Sequence, residues 1–303
     1  MKVLSLFDGM SCGQIALERA GIKVDNYFAS EIDKYAIQIT QKNYPKTIQL
    51  GDVTNINTND LPKIDLLIGG SPCQGFSFAG KQLNFEDPRS KLFFEYVNLK
   101  NKLKPAYFLL ENVKMKKEYQ NIISKHLGVE PIEINSSLVS AQNRKRLYWT
   151  NIPGIAQPED KGILLKDTIE GGGVDRDKSY CLDANYFKGT NLEQYLKKCR
   201  RQIVFNYSSS GKGHGIVEDR FYNSTLGKAH ALTAAGYSKR SFSRVYNKDG
   251  IRKLTNIECE RLQTIPDNYT EGVSNTQRYK MIGNGWTVDV IAHIFKGLLN
   301  ENI

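Results

Sequence analysis

A cysteine stands at the end of a short apolar run, where a reactive thiol can be presented to a substrate. The run from Asp65 to Gly70 is typical of a buried strand and a turn, and Pro72 and Cys73 follow it directly after Ser71. Open α/β sheets bind ligands beyond the carboxyl ends of their strands, so we expect the thiol of Cys73 to be a nucleophile. The alternative is a buried cysteine with a purely structural role, which is commoner in general.

Charged side chains that could act on the same substrate occur at two later places. Tyr107 to Leu110 is another apolar run, and Glu111 follows it, so this carboxyl is expected at the same edge of the sheet. Arg144 and Arg146 stand at alternate positions before an aromatic strand, and alternate residues of a strand can point to one face. The sequence therefore offers a thiol, a carboxyl group and two guanidinium groups as candidate functional groups.

The start of the chain has a pattern that predicts nucleoside binding. The apolar run Val3 to Phe7 leads into a turn with Gly9 and Gly13, and Glu31 closes the next apolar run. Glycines let the backbone approach a ligand, and a carboxylate can accept hydrogen bonds from both ribose hydroxyls. The G-x-x-x-G spacing does not favour a pyrophosphate. Asp52 could accept a hydrogen bond from the amino group of an adenine. The alternative for the glycine turn is a purely structural role, which such turns often have.

The elements that must position these groups alternate between strands and helices over residues 1–150. Such a βαβ series predicts a parallel α/β sheet. Beyond Gly154 the periodicity fades and glycine-rich stretches interrupt the chain. The predicted strands are Val3 to Phe7, Tyr27 to Ala29, Ile64 to Ile68 and Tyr107 to Leu110; the late predicted helices run from a capping box at Thr255 and Glu258 to about Thr264, and from Thr287 to Leu299.

The segment from Gln74 to Ser90 has glycines and a proline but no clear periodicity. We expect a loop that can close over a bound substrate.

The positive charge is concentrated in one part of the chain. The 303 residues carry a net charge of +10, and between Lys197 and Lys253 thirteen basic side chains face only three acidic ones. Aromatic residues, Gly and Ser lie among these charges, which favours a phosphate-binding surface built on loops. A solvated surface with no partner is the alternative.

Several protein classes are disfavoured by composition. No apolar run approaches the roughly 18 residues that span a bilayer, and the N-terminus has no secretory signal, so we expect a soluble protein of the cytoplasm. The five cysteines are odd in number and form no CxxC pair, which argues against a disulfide framework and a structural zinc site. No metal is expected.

Taken together, these motifs resemble the DNA cytosine-5 methyltransferase family. Five motifs occur in the family's order, and the resemblance covers nearly the whole chain except about residues 155–245. They are Phe-x-Gly-x-x-x-Gly from Phe7, Pro72-Cys73-Gln74, Glu111-Asn112-Val113, Gln142-x-Arg-x-Arg and Gly283-Asn284-Gly285-Trp286-Thr287-Val288. Several stretches are most similar to the catalytic domain of the animal de novo branch, whereas the short length and the loop after Cys73 look bacterial or phage-derived.

The resemblance implies an architecture. It is an α/β, Rossmann-like class I S-adenosylmethionine-dependent methyltransferase fold with a mostly parallel sheet, plus a small target-recognition domain. Residues 1–152 would form the catalytic and cofactor-binding domain, 153–252 the target-recognition domain, and 253–303 the part that completes the catalytic domain.

The resemblance also implies a reaction and its residues. Cys73 would attack C6 of a cytosine flipped out of double-stranded DNA, Glu111 would protonate N3, and Arg144 and Arg146 would hold the cytosine O2 and an adjacent phosphate. C5 would then take a methyl group from S-adenosylmethionine. The implied cofactor contacts are Phe7, Asp8, Gly9, Met10, Ser11, Gly13, Glu31, Ile32, Asp52, Val53, Gly70, Pro72, Leu92, Asn284, Gly285 and Trp286. The expected DNA contacts are Gln74, Ser77, Lys81, Arg240 and Arg244.

The late motif departs from the family pattern. Most bacterial members have Gly-Asn-Ala-Val where this chain has Gly-Asn-Gly-Trp-Thr-Val, so Trp286 is expected to pack against the cofactor, with a place in the core as the alternative.

Other functions remain to be separated. A cytosine-5 methyltransferase acting on tRNA is the nearest alternative, and a non-catalytic DNA-binding relative and a nicotinamide-dependent oxidoreductase are further ones. The expected partners are double-stranded DNA and, where the protein belongs to a restriction-modification system, a companion endonuclease. A monomer in a bacterial or phage-infected cell is favoured.

Overall fold

The computed structural model describes residues 1–72, 88–205 and 251–302. A sheet of seven strands has the order β3-β2-β1-β4-β5-β7-β6. Its first five strands in chain order are parallel to one another, and β7 is antiparallel to both of its neighbours, β5 and β6. The strands are β1 (Lys2–Leu6), β2 (Asn26–Ser30), β3 (Ile48–Gln49), β4 (Leu66–Gly69), β5 (Tyr107–Val113), β6 (Ile132–Asn135) and β7 (Lys145–Thr150). The predicted α/β class with a mostly parallel sheet is confirmed.

Helices cover both faces of this sheet. The helices of the described ranges are α1 (Cys12–Arg19), α2 (Lys34–Asn43), α3 (Pro88–Leu103), α4 (Lys117–Leu127), α5 (Leu192–Lys198), α6 (Asn256–Leu262), α7 (Asn275–Asn284) and α8 (Val288–Phe295), of which α5 packs in a separate cluster with Ile203 and Phe205. Alternate residues of β1 belong to different cores: Val3 packs with Ile15 of α1 and Ile291 of α8, whereas Leu4 packs with Phe93 of α3. The fold is therefore a sheet between two helical layers, as the nearly continuous apolar strands require.

A second, two-stranded sheet pairs β8 (Ile203–Phe205) with β9 (Ile251–Lys253) in antiparallel fashion. Most of residues 153–205 are irregular, with short 3₁₀ turns and α5, in agreement with the fading periodicity. The predicted domain boundaries stay a prediction.

Several predicted boundaries are corrected. Phe7 lies beyond β1 with φ +56°, and β5 continues to Val113, because pairing with β7 carries the strand past Leu110. Helix α6 ends at Leu262, since Thr264 adopts φ +53°, and the helix after Thr287 passes from α to 3₁₀ geometry at Lys296. Within the described ranges no helix is long and apolar enough to cross a membrane.

Candidate active site

The carboxyl ends of four strands lie side by side and form the floor of the site. Leu6 pairs with Ser30 on one side and with Gly69 on the other, and Gly69 pairs with Leu110. The predicted glycine turn, Glu31, Gly70 and Glu111 therefore follow or end strands at one edge of the sheet. The sequence-based expectation that these groups meet at one edge holds.

The turn after β1 has an unusual backbone. Phe7, Gly9 and Ser11 have φ values of +56°, +61° and +61°. A Cβ built on Gly9 would meet no atom within 4 Å, so the space beside this glycine is open. The left-handed residues turn the backbone sharply out of the strand and into α1.

Glu31 connects this turn to the end of β2. Its Oε2 accepts a hydrogen bond from the Gly9 N–H at 2.8 Å, and its Oε1 accepts bonds from Ile32 N and Asp33 N, each at 2.8 Å. The carboxylate orientation is therefore fixed by the backbone. Ile32 is 75% exposed, which leaves an apolar side chain uncovered beside this carboxylate.

Asp8 lies under the turn. Tyr27 donates its hydroxyl to Oδ1 at 2.7 Å, and the Ser11 hydroxyl donates to Oδ2. Burial raises the pKa of Asp8 to about 6, although these hydrogen bonds oppose the rise.

Two other predicted cofactor residues follow β3. Asp52 is exposed and caps a short 3₁₀ turn by accepting at Oδ1 from the N–H and hydroxyl of Thr54, at 2.9 and 2.8 Å. These hydrogen bonds lower the pKa of Asp52. Oδ2 has no partner within the described ranges, and Val53 is buried beneath the turn.

The segment that leads to Cys73 is anchored at Ser71. The side-chain amide of Asn112 in β5 donates to the carbonyl and the hydroxyl of Ser71, both at 3.3 Å. Pro72 is partly buried and follows this anchor. Cys73, Gln74, Ser77 and Lys81 lie outside the described residues, as do the remainder of the predicted closing loop up to residue 87, Arg240 and Arg244.

Glu111 and Arg146 form an ion pair at the center of the edge. Arg146 Nε lies 3.0 Å from Glu111 Oε1, and the two side chains are 14% and 12% exposed. Trp286 donates its indole N–H to Glu111 Oε2 at 3.2 Å. Trp286 of the late motif therefore contacts Glu111, the predicted acid, directly.

Arg144 makes different contacts. It is 3% exposed, and its guanidinium donates to the carbonyls of Leu182, Gly285 and Gly283 at 2.8, 2.9 and 3.2 Å. The side chain therefore fastens the late motif to the segment around Leu182.

Cys181 lies against both arginines. Its sulfur is 3.4 Å from Arg144 Nη1 and 3.8 Å from Arg146 Nη2, so the two guanidinium groups point to one side as predicted. Burial opposes ionisation of this thiol, but the two cations outweigh it and lower its pKa. Sequence reasoning assigned Cys181 no role, because an isolated cysteine in an aperiodic region gives no local signal.

The remaining predicted cofactor residues lie around the same edge. Met10 is 1% exposed with its side chain in the core, Gly13 lies in the first turn of α1 beside Trp286, and Leu92 is partly buried near the start of α3. Asn284 is the exposed last residue of α7. In the part of the chain that the structure describes, no cluster of three or more His, Cys, Asp or Glu side chains could hold a metal ion.

Comparison with known proteins gives a consistent result. A family model described as C-5 cytosine-specific DNA methylase matches residues 1–300. The type II methyltransferase M1.ScrFI of Lactococcus lactis subsp. cremoris is 31% identical, over 98% of this chain and 78% of the relative. The type II methyltransferase M.NlaX of Neisseria lactamica is 30% identical, over 97% and 94% of the two chains. The solved structure of the Entamoeba histolytica methyltransferase EhMeth superimposes with a TM-score of 0.72 at 17% identity, covering 99% of this chain and 98% of that one, which shows a shared fold.

Proposed function

The chain belongs to the C-5 cytosine-specific DNA methylase family and is a DNA cytosine-5-methyltransferase, and from this premise we propose how its residues perform the reaction. The observation that carries the proposal is the Glu111–Arg146 pair, which lies beside the anchored Ser71-Pro72 segment that leads to Cys73. The carboxyl group of Glu111, the guanidinium group of Arg146 and the segment that precedes Cys73 therefore lie at one edge of the sheet.

S-adenosylmethionine is the proposed cofactor, and the described residues fit it. Glu31 is oriented by backbone donors and has lone pairs left for ribose hydroxyls, and Ile32 offers an exposed apolar surface for an adenine. Asp52 Oδ2 is available for the adenine amino group, and the open space at Gly9 allows close approach. When bound, the cofactor supplies an electrophilic methyl group on its sulfonium. The other assigned contacts are Phe7, Asp8, Met10, Ser11, Gly13, Val53, Gly70, Pro72, Leu92, Asn284, Gly285 and Trp286.

The proposed chemistry divides the activation of cytosine between two residues. C6 is a poor electrophile until N3 is protonated, so Glu111 gives its proton to N3 while the sulfur of Cys73 forms a bond to C6. C5 then has enamine character and can accept a methyl group. Loss of the C5 proton to a base, departure of Cys73 and return of the N3 proton to Glu111 restore the aromatic ring and the free enzyme.

The two arginines are proposed to have distinct parts in binding the base. Arg146 contacts Glu111, and we propose that it donates to the cytosine O2 as negative charge develops there. Arg144 donates hydrogen bonds to three backbone carbonyls. We propose that it helps to hold the base and phosphate mainly by fixing the segments that carry these carbonyls.

Double-stranded DNA is the proposed substrate. C5 and C6 are stacked inside a duplex, so the target cytosine must be flipped into the site. Gln74, Ser77 and Lys81 on the closing loop, and Arg240 and Arg244 in the basic region, are the proposed DNA contacts. A companion restriction endonuclease is a proposed partner, because M1.ScrFI and M.NlaX are named type II methyltransferases. The cytoplasm of a bacterial or phage-infected cell is the proposed location.

The decisive experiment uses labelled S-adenosylmethionine. The protein is incubated with several plasmids and, in parallel, with tRNA, and modified cytosines are located by base-resolved sequencing. We expect label at C5 of cytosine at one recurrent sequence in duplex DNA. Label only in tRNA would reject the DNA substrate, and no label in any cytosine would reject the function.

A substitution separates catalysis by Cys73 from a structural role. Cys73→Ala is expected to abolish methyl transfer and to leave the dissociation constant of S-adenosylmethionine, measured by calorimetry, nearly unchanged. Equal loss of transfer and binding would mean that the cysteine supports the fold.

A further inference from the structure

Both carboxylate oxygens of Glu111 are held by side chains from other elements. Arg146 Nε lies 3.0 Å from Oε1, and Trp286 Nε1 donates to Oε2 at 3.2 Å. Taken as a whole residue, Glu111 is only 9% exposed, so water competes weakly for these oxygens. Within the described ranges Trp286 is the one donor to Oε2, and it comes from the segment that follows α7 rather than from the strands of the sheet.

The indole of Trp286 lies close to Gly70 and Gly13, and the backbone beside it is anchored by hydrogen bonds. A Cβ built on Gly70 would lie 3.1 Å from both Trp286 Nε1 and Glu111 Oε2, so a larger residue there would press on both partners of this contact. A Cβ on Gly13 would lie 3.7 Å from the far ring of the indole. The carbonyl of Gly285 accepts hydrogen bonds from Arg144 and Gln263 at 2.9 and 3.1 Å, which anchors the backbone next to Trp286. The backbone beside the indole is therefore held in place, and the indole N–H donates to Glu111 Oε2.

We propose that Trp286 is a positioning residue for Glu111, and that its N–H stabilises the carboxylate that remains when Glu111 has protonated cytosine N3. This inference rests on the proposed role of Glu111. In that step the O–H bond of the acid breaks, the N3–H bond forms, and negative charge appears on the carboxyl group. Donors already in place at both oxygens accommodate this charge without reorganisation.

A different role for Trp286 makes different predictions. If the indole only packs against the cofactor, its loss weakens cofactor binding and leaves the activation of cytosine intact. If it acts through Glu111, its loss slows the activation of cytosine even when no cofactor is present. The two roles can therefore be separated by a reaction that omits the cofactor.

Exchange of the C5 hydrogen is such a reaction. When Cys73 adds to C6 and N3 takes the proton of Glu111, C5 can take a proton from water. Loss of the original C5 hydrogen to water, departure of Cys73 and return of the N3 proton to Glu111 then regenerate cytosine and the free enzyme. Tritium released into water from DNA containing [5-³H]cytosine, without S-adenosylmethionine, measures this activation directly.

The central variant is Trp286→Phe, which keeps an aromatic ring and removes the donor. We expect tritium release without cofactor, and kcat for methyl transfer, to fall by a similar factor of about 10 to 100, as for loss of a hydrogen bond to a charged group. The dissociation constant of S-adenosylmethionine should change by less than about threefold, below the cost of that hydrogen bond. Weaker cofactor binding with unchanged tritium release would overturn the proposal.

Two further variants control for folding and for the premise. Trp149→Phe removes the other tryptophan, which is fully buried and donates to Ser124 Oγ at 3.0 Å, and it should lower thermal stability without lowering tritium release per folded molecule. Glu111→Gln should nearly abolish tritium release. Full activity of Glu111→Gln would reject the proposed function of that residue, whatever Trp286→Phe does.

A double-mutant cycle tests whether Trp286 acts through Glu111. Single-turnover rates are measured for Glu111→Gln, Trp286→Phe and the double variant. If the indole works through the carboxyl group, the double variant is no slower than Glu111→Gln alone. Multiplying effects of the two substitutions would overturn the inference and leave the role of Glu111 standing.

Discussion

Asp8 is a carboxyl group in a place that disfavours its charge. It lies between the turn after β1 and Tyr27, with hydroxyl donors at both oxygens, and Glu31 is a nearby acid. Burial raises its pKa to about 6, and the carboxylate of Glu31 adds to the rise. The folded protein therefore holds this proton more tightly than the unfolded chain, whose carboxyl titrates near 3.8.

The elevated pKa of Asp8 predicts a pH-dependent stability. The stability that this group contributes is fully present below about pH 4 and is lost as the pH rises through about 6. Asp8→Asn cannot ionise, and its amide can still meet the hydroxyls of Tyr27 and Ser11. We expect its melting temperature to exceed that of the wild type at pH 7.5, with a smaller difference at pH 5, as followed by differential scanning fluorimetry.

Asp175 provides a matched control of opposite sign. Burial opposes its ionisation, but hydrogen bonds from Arg176 and Tyr195 lower its pKa, so its stabilisation is present above about pH 4 and is lost only in acid. Asp175→Asn should therefore lower the melting temperature at both pH 5 and pH 7.5. An equal gain for Asp8→Asn at both pH values would contradict a titration of Asp8 in this range.

At the scale of single residues, the sequence predicted which side chains lie at the site better than it predicted the contacts that they make. Glu111 was expected at the carboxyl edge because it follows an apolar run, and Arg144 and Arg146 were expected on one face because of strand alternation, whereas the antiparallel pairing of β5 with β7 that joins Glu111 to Arg146 was not predicted. The bond from Trp286 to Glu111 was not foreseen, since it joins residues 175 positions apart and no local period encodes such a contact. Arg144 shares its motif with Arg146, yet its donors bond to carbonyls, because Leu182 and Gly283 come within reach only in the folded chain.

At the scale of elements, the end of α7 must approach a neighbouring backbone very closely. A Cβ on Gly283 would lie 2.3 Å from the carbonyl carbon and oxygen of Asp183. Arg144 bonds to carbonyls on both sides of this contact, at Leu182 and Gly283. The contact therefore fixes the position of the C-terminal end of α7, which Gly285 and Trp286 follow.

Gly283→Ala should disturb this contact. Overpacking of this kind costs about 1–3 kcal/mol of the free energy of unfolding, which urea denaturation can measure. The affinity for S-adenosylmethionine should weaken as well, because the following segment moves with the helix end. Thr276→Ala, on the exposed face of the same helix, should change stability by no more than about 0.5 kcal/mol. A Gly283→Ala protein as stable as Thr276→Ala would show that the two backbones can separate without cost.

Element types were predicted more reliably than element ends. Buried apolar runs identified β1, β2, β4 and β5, and the capping box at Thr255 and Glu258 identified α6, because these signals are local. The extension of β5 to Val113 depends on pairing with β7, which is remote in sequence. The short strands β8 and β9 were missed, since three residues that pair across a long insertion carry no distinctive period.

At the scale of the whole molecule, charge is distributed to match the proposed substrate. The segment 197–253 contains a surplus of basic residues equal to the net charge of the chain, +10. Of this segment, 197–205 and 251–253 are described, and Lys198 and Arg200 are exposed there. Basic side chains that neutralise phosphates release counterions from DNA, so binding through this region must depend on salt.

The salt dependence of DNA binding therefore tests whether this region contacts phosphates. We expect the logarithm of the affinity for duplex DNA to fall linearly with the logarithm of the salt concentration, as measured by fluorescence anisotropy. Replacing Lys198 and Arg200 by Gln should make the slope shallower by about one for each side chain that contacts a phosphate. Lys23→Gln with Lys102→Gln removes the same charge from exposed sites that precede β2 and β5, at the opposite edge of the sheet, and should leave the slope unchanged. If both pairs made the slope shallower to the same extent, the net charge would attract the DNA, and the basic segment would not be its specific binding surface.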